Sequence, residues 1–199
     1  MKLVARFDDF FEELDAAWSK TGKGPVTLRI IGASALLLQT GYDRGTIDSD
    51  VLETNDLDAD TKQTLLALAG KGSVLHVRHK IHLQLVANGL PFLPQSPLFH
   101  RHPSDFAHLV VLVLDPVDVV VSKLKVFRQS DVADIDRLIS QGLAPHARVV
   151  ERFRAAVDWH AFAADADAIS QCIDNLHAIE RDSFDVAESS IDLPLEIDD

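Results

Sequence analysis

The chain has 199 residues, of which 47% are hydrophobic and 25% are charged, the usual balance of a folded globular protein. Its 31 acidic residues outnumber 19 basic ones, and this excess argues against general DNA binding, which depends on many Lys and Arg contacts to phosphates. The single cysteine excludes an intrachain disulfide, and no apolar run approaches the ~20 residues of a membrane helix, so we expect a cytoplasmic protein with no membrane partner.

The first part of the chain mixes helical and extended patterns. Residues 7–19 carry aromatic and aliphatic side chains at helical spacing, which predicts an amphipathic helix. The pattern then predicts a buried strand, VTLRIIG, and a helix, ASALLLQTG, that ends at Gly41. A strand is predicted in TIDSDVLET and a helix over about 58–70, followed by two or three strands drawn from SVLHV, KIHLQLV and AHLVVLVL.

From Pro116 onward the pattern is helical throughout. Helices are predicted in VDVVVSKLKVFR, SDVADIDRLISQG, APHARVVERFRAAVDWHAFA and ADAISQCIDNLHAIER. Ser130 is a reasonable N-cap for the second of them. We therefore predict an α+β core over 1–115, a helical region over 116–185 and an acidic, mobile tail over 186–199.

Two aspartates lie one residue apart in the predicted strand TIDSDVLET. Alternation of side chains puts Asp48 and Asp50 on the same face, roughly 6–7 Å apart. Two carboxylates this close repel each other unless a cation lies between them, and Mg²⁺ is commonly held by one or two carboxylates. By themselves, however, the two acids are better explained as a solvated strand edge.

A glycine turn precedes the aspartates. Gly32 closes the buried strand, and Ala33 and Ser34 open the next helix, whose free backbone N–H groups would form a phosphate site. Alone, this turn is an ordinary connection between a strand and a helix. Together with Asp48 and Asp50, it makes a coherent arrangement for binding a phosphate and a metal.

The segment resembles the nucleotidyltransferase superfamily with the DNA polymerase β type of fold. The superfamily signature is a Gly-Gly or Gly-Ser turn, a helix and an Asp-x-Asp or Asp-x-Glu strand. Arg44 and Thr46 are similar to the Arg-x-Thr-x-Asp run of bacterial members related to abortive-infection toxins. The resemblance implies a mixed β-sheet with flanking helices, and Mg²⁺ or Mn²⁺ on Asp48 and Asp50.

A second segment, VSKLKVFRQSDVADIDRLI, is similar to another part of that bacterial subgroup. The resemblance implies that Lys123 approaches the phosphates of a nucleoside triphosphate, and that Arg128, Asp131 and Asp134 brace or line the cleft. Taken singly, Lys123 is more simply explained as a lysine whose stem lies along an amphipathic helix. The two segments cover about half of the chain.

The resemblance fails at one position. Active members usually carry a third carboxylate on a later strand, and here KIHLQLV offers His82 and Gln84 instead. His82 could accept a proton near neutral pH, whereas Gln84 could not. The chain could use one metal with His82 as base, bind a nucleotide without turnover, or carry its third carboxylate on another strand. A zinc site of His76, His79 and His82 is not expected, because a strand would put His79 on the opposite face.

These observations leave several functions open. The first is an Mg-dependent transfer of a nucleotidyl group from a nucleoside triphosphate to an RNA end, a protein or a small molecule. The second is a catalytically impaired module that binds a nucleotide. A third is a cognate partner in a toxin–antitoxin pair, since the superfamily supplies both sides of such pairs.

Overall fold

The structure is a computed structural model that describes residues 3–41, 48–161 and 166–192. The chain divides into two compact units. The first comprises Met1–Asn88 and Phe99–Leu114, and the second comprises Gly89–Leu98 and Asp115–Asp199. A mixed sheet with helices in the first unit and a helical second unit confirm the predicted α+β class.

The first unit contains four helices and five strands in the described residues, together with a short 3-10 turn, Ser19–Thr21. In chain order they are α1 (Leu3–Trp18), β1 (Val26–Ile31), α2 (Gly32–Thr40), β2 (Asp48–Leu52), α3 (Ala59–Ala69), α4 (Val74–His79), β3 (His82–Val86), β4 (Phe99–Arg101) and β5 (Leu109–Leu114).

The strands form one mixed sheet in the order β3-β2-β1-β5-β4. β1 runs antiparallel to β2 and parallel to β5, while β2 runs parallel to β3. In the register of β1 and β2, Ile31 pairs with Asp50. The turn after β1 therefore lies beside the second aspartate of β2.

The amphipathic helix predicted near the N-terminus is confirmed as α1. The large apolar side chains of the predicted pattern are at most 1% exposed, namely Phe7, Phe10, Phe11, Leu14 and Trp18. Their spacing puts them on one stripe, which α1 buries against the rest of the first unit. Asp15 on the same helix accepts hydrogen bonds from the backbone N–H groups of His108 and Leu109, which ties α1 to the start of β5.

The strand predicted in SVLHV is wrong, because this segment is helix α4. The side chain of Ser73 accepts a hydrogen bond from the N–H of His76 and so caps the helix start. Leu75 and His79 are buried at helical spacing, and Lys80 ends the helix in the left-handed conformation. The apolar residues of SVLHV favoured a strand, but the Ser73 cap and the burial of Leu75 and His79 at helical spacing favour a helix.

The structure differs from the sequence predictions at two further places. β4 was not predicted, because its three residues form a strand only through antiparallel pairing with β5. The helix predicted through Arg128 ends at Lys123, where the N–H of Leu124 bonds to the carbonyl of Val121. Phe127 adopts a left-handed backbone with φ 51°, so no helix continues to Arg128.

The second unit contains the remaining helices of the described residues. They are α5 (Pro116–Lys123), α6 (Gln129–Ser140), α7 (His146–His160) and α8 (Ala166–Asp182). α5 packs against α6 and α7, and α7 contacts α8. Ser130 is not the N-cap of α6. That helix starts after Arg128, whose backbone N–H donates to the Asp131 carboxylate at 3.0 Å.

The segment after α8 lies against the helices of the second unit. The buried carboxylate of Glu180 accepts a hydrogen bond from the backbone N–H of Ser189 and pairs with His146. The carbonyl of Ser190 accepts a hydrogen bond from Arg154 of α7. The beginning of the acidic segment from residue 186 is therefore held in place by side chains of α7 and α8.

Candidate active site

The turn between β1 and α2 brings the backbone close to the Asp50 carboxylate. Gly32 has φ 65°, and a Cβ atom added to it would lie 2.9 Å from Asp50 Oδ2. That backbone conformation is unfavourable for residues with a side chain, and the added atom would be in steric conflict with the carboxylate. Glycine is thus required for the main chain of the turn to approach Asp50.

The next residues of the turn attach α2 to the start of β2. Ser34 is only 1% exposed, and its hydroxyl donates a hydrogen bond to the backbone carbonyl of Asp48. This hydroxyl is therefore occupied within the fold. A phosphate at this turn would contact backbone N–H groups of Ala33 and its neighbours rather than the Ser34 side chain.

The two aspartates of β2 face away from the core. Ser49 and Val51 are fully buried on one face of the strand, whereas Asp48 and Asp50 lie on the other face and are partly exposed. Half of the Asp48 side chain is accessible, at 50% relative exposure. The Asp48 carboxylate is accordingly open to a ligand from solvent.

The neighbouring strand places a histidine and a glutamine beside these aspartates. In the parallel register of β2 and β3, Asp48 pairs with His82 and Asp50 pairs with Gln84. The His82 Nε2 atom lies 3.4 Å from Asp48 Oδ1, and 9% of the His82 side chain is exposed. Its Nδ1 atom is buried and has no hydrogen-bond partner among the described residues. β3 thus supplies an imidazole, but no carboxylate, next to the pair.

The donor set fits a hard divalent cation. Asp48 and Asp50 offer carboxylate oxygens on one face, and Mg²⁺ accepts one or two carboxylates with its other positions filled by water and phosphate. No group of three or more His, Cys, Asp or Glu side chains suited to a metal occurs in the described parts of the chain. A metal would therefore rely on a bound nucleotide for its remaining oxygen ligands.

The comparison with protein families agrees with this geometry. Residues 5–143 match the family described as nucleotidyltransferase of unknown function (DUF6036). The chain belongs to this nucleotidyltransferase family. No curated protein and no solved structure gave a significant match. The family match spans β1, α2, β2 and β3 of the site and also includes α5 and α6 of the second unit.

Lys123, a sequence-predicted phosphate ligand of this nucleotidyltransferase, lies in the second unit. Only 6% of its side chain is exposed, and its Nζ atom is 2.9 Å from Asp131 Oδ1 and 2.7 Å from Asp134 Oδ2. Arg128 precedes α6, and its backbone N–H is bonded to Asp131. The structure therefore joins Lys123, Asp131 and Asp134 in one buried ion cluster.

Two other predicted residues, Arg44 and Thr46, lie outside the described residues. The histidine-rich stretch has a different arrangement from the predicted strand, because His76 and His79 belong to helix α4. The His76 ring packs edge-on against His82 with centroids 4.9 Å apart. Sequence reasoning treated His76 as part of a strand, whereas in the structure it reaches His82 from helix α4. Among the described residues, no helix is both long and apolar enough to cross a membrane.

Proposed function

We propose that this family member is an Mg-dependent nucleotidyltransferase that moves a nucleotidyl group from a nucleoside triphosphate to an acceptor hydroxyl. The observation that carries the proposal is the approach of the Gly32 backbone to the Asp50 carboxylate, with Asp48 on the same strand face. This arrangement puts backbone N–H groups for phosphate next to carboxylates for a metal. Bound there, Mg²⁺ (or Mn²⁺) would neutralise charge that develops on the phosphates.

The side chains take separate roles in the proposed reaction. Asp48 and Asp50 hold the metal, and the turn over Gly32, Ala33 and Ser34 holds the triphosphate. His82, beside Asp48, accepts the proton of the acceptor hydroxyl. The phosphate-binding roles of Arg44 and Thr46 are supported by the sequence resemblance to bacterial abortive-infection nucleotidyltransferases. Lys123, by contrast, is already paired with Asp131 and Asp134, and Arg128 lies with it in the second unit.

Transfer of radiolabel from each α-labelled nucleoside triphosphate tests this proposal. We expect Asp48→Asn and Asp50→Asn to lose roughly 100-fold or more of the rate, the scale for removing an electrostatic group from a reaction site. His82→Gln should lose about 100-fold, as for a general base. Asp105→Asn is the matched control, because Asp105 is 93% exposed and pairs only with Arg101 on β4 among the described residues. Equal rates in the wild type and the Asp48 and Asp50 variants would contradict the proposal.

A second candidate function is a nucleotide-binding module with impaired catalysis. The pairing of Gln84 with Asp50 favours it, because the strand beside the aspartates carries no carboxylate. Calorimetry with Mg²⁺ and a non-hydrolysable triphosphate separates the two candidates. Binding without transfer supports the module. A gain of transfer in Gln84→Asp would support it further, and Gln84 is exposed enough to accept that change.

A further inference from the structure

A groove runs along the edge of the sheet at β3. It has a volume of about 450 Å³ and is open to solvent. We call it the edge groove, and its lining residues are Glu53, Leu66, Lys71, His82, Leu83, Gln84 and Leu85. His82 lines the edge groove and also lies 3.4 Å from Asp48, so this residue connects the groove to the candidate active site.

The backbone of β3 faces the edge groove. Side chains alternate between the two faces of a strand, so four consecutive residues line one groove only if it lies along the strand edge. Among the strands of the described residues, only β2 pairs with β3. The carbonyl of Val86 accepts the N–H of Glu53 from the β2 side. The backbone N–H and C=O groups of successive residues in a strand point to opposite sides. Those of Leu83 and Leu85 therefore point away from β2, toward the edge groove.

The charges around the edge groove suit a peptide better than a nucleic acid. Lys62 is paired with Glu53, so its charge is already balanced. Lys71 is exposed and has no ion-pair partner among the described residues, and Leu66 is an exposed apolar neighbour at 42%. One cation in a chain of net charge -12 gives little support for a row of phosphates.

We propose that the edge groove binds the acceptor as an extended peptide segment that adds a strand to β3, so that the nucleotidyl group is transferred to a hydroxyl side chain of a protein. Outward N–H and C=O groups of Leu83 and Leu85 give the peptide its main-chain hydrogen bonds, the known mode of strand addition at a sheet edge. Leu66 and Lys71 contact its side chains. This inference rests on the proposed nucleotidyltransferase function.

The proposed transfer forms one bond to phosphorus and breaks another. The hydroxyl oxygen of a Ser, Thr or Tyr side chain forms a bond to the α-phosphorus of the nucleoside triphosphate. The bond from that phosphorus to the bridging oxygen breaks, and pyrophosphate leaves with the bonding electrons. The hydroxyl proton passes to the His82 imidazole. The product is a protein side chain joined to a nucleoside monophosphate by a phosphodiester bond.

The test offers the full chain two acceptor pools with Mg²⁺ and α-labelled triphosphates. One pool contains short synthetic peptides with a fixed central Ser, Thr or Tyr, and the other contains short single-stranded RNA with a free 3′-hydroxyl. We expect label on peptides and not on RNA. Peptide addition should also slow the hydrogen exchange of the Leu83 and Leu85 amides, a readout that is independent of transfer.

Three substitutions test the groove itself. Leu85→Pro removes an outward N–H without removing a bond to β2, and should lower peptide labelling roughly tenfold, the scale of one lost hydrogen bond. Lys71→Glu and Leu66→Asp change only exposed side chains and should lower it a few-fold. Their matched controls are Lys20→Glu and Val77→Asp, exposed positions outside the edge groove. Triphosphate binding, measured by calorimetry, should stay unchanged in all five variants.

The outcomes separate this inference from the function on which it rests. Label on RNA alone, equal peptide labelling in the Lys71 and Leu66 variants and their controls, or triphosphate binding with neither pool labelled would each overturn the peptide acceptor. Absence of triphosphate binding in the wild type would instead overturn the proposed function.

Discussion

Asp48 of the first unit and two buried aspartates of the second unit have opposite surroundings. In the first unit, Asp48 has half of its side chain exposed, and its neighbour His82 is 3.4 Å away. In the second unit, Asp118 and Asp134 are fully buried. Asp118 lies 2.7 Å from Arg152, and Asp134 lies 2.7 Å from Lys123. A carboxylate whose charge is balanced inside the protein has little capacity to bind a ligand. Exposure on a strand face, rather than residue type, therefore distinguishes the candidate metal ligands.

Substitution of Asp118 should have the largest effect on stability. Its carboxylate accepts two hydrogen bonds from Arg152 at 2.7 Å and one from the N–H of Leu98. Hydrogen bonding to Asp118 raises the pKa of Arg152. Asp118→Ala leaves the largely buried guanidinium without its partner and should lower the free energy of unfolding by about 3–5 kcal/mol, measured by urea denaturation.

Asp48→Ala is the matched variant at the exposed aspartate. Because Asp48 is half exposed, its loss should change the unfolding free energy by no more than ~1 kcal/mol while it abolishes transfer. A loss as large as that of Asp118→Ala would mean that Asp48 is a structural residue and would contradict the distinction between exposed and buried aspartates.

Gly32→Ala should have the next largest effect on stability, because Gly32 closely approaches Asp50 in the candidate site. Gly32→Ala should cost about 1–3 kcal/mol of stability through its strained backbone and the conflict with Asp50 Oδ2. Gly22→Ala is the matched control. Gly22 has φ 71°, but an added Cβ would have no atom within 4 Å.

The difference between the two glycine variants measures the approach of the turn to Asp50. Thermal unfolding of both proteins gives this difference directly. If Gly32→Ala costs no more than Gly22→Ala, the Asp50 carboxylate moves aside without cost and is not held against the turn, which removes the fixed geometry proposed for the phosphate and metal site.

The parts of the site that were predictable from sequence are those set by local pattern. Alternation along β2 put Asp48 and Asp50 on one face, and burial of Ser49 and Val51 on the other face confirms that arrangement. The turn at Gly32 and the end of α2 at Gly41 likewise follow from glycine in the left-handed conformation.

The parts that were not predictable depend on contacts far apart in the chain. The three residues of β4 are a strand only because β5 pairs with them. α4 was predicted as a strand, yet the Ser73 cap and the burial of Leu75 and His79 four residues apart favour a helix. The pairing of Lys123 with Asp134 depends on how α5 and α6 pack, which no spacing along the sequence specifies.

Buried histidines extend the comparison to pH. Burial lowers the pKa of His102 in the first unit and of His160 in the second, although Asp8 partly offsets this at His102 and Lys125 adds to it at His160. The unfolded chain then binds protons more readily than the folded one, so stability falls as the pH drops through about 6.5. Urea denaturation at several pH values should show this fall.

Substitution of each histidine assigns the pH dependence. His102→Gln and His160→Gln should each flatten the dependence of stability on pH near 6.5, because neither glutamine takes up a proton. An unchanged slope in both variants would show that other groups take up the protons. A change in only one of them would show that burial lowers the pKa in one unit alone.

The smallest effect is expected at Arg148 and Glu151, which share α7 with Arg152. They form an i,i+3 ion pair at 3.1 Å with side chains 49% and 62% exposed. Water screens such a pair, so a double-mutant cycle of Arg148→Ala and Glu151→Ala should give a coupling of about 0.5 kcal/mol or less, reduced further by salt. The corresponding cycle at Arg152 and Asp118 should give a coupling several times larger and less sensitive to salt, since these residues are desolvated.

Equal couplings for the two pairs of α7 would mean that burial does not determine how strongly a carboxylate is held. Exposure of Asp48 would then no longer indicate that it is available to a metal.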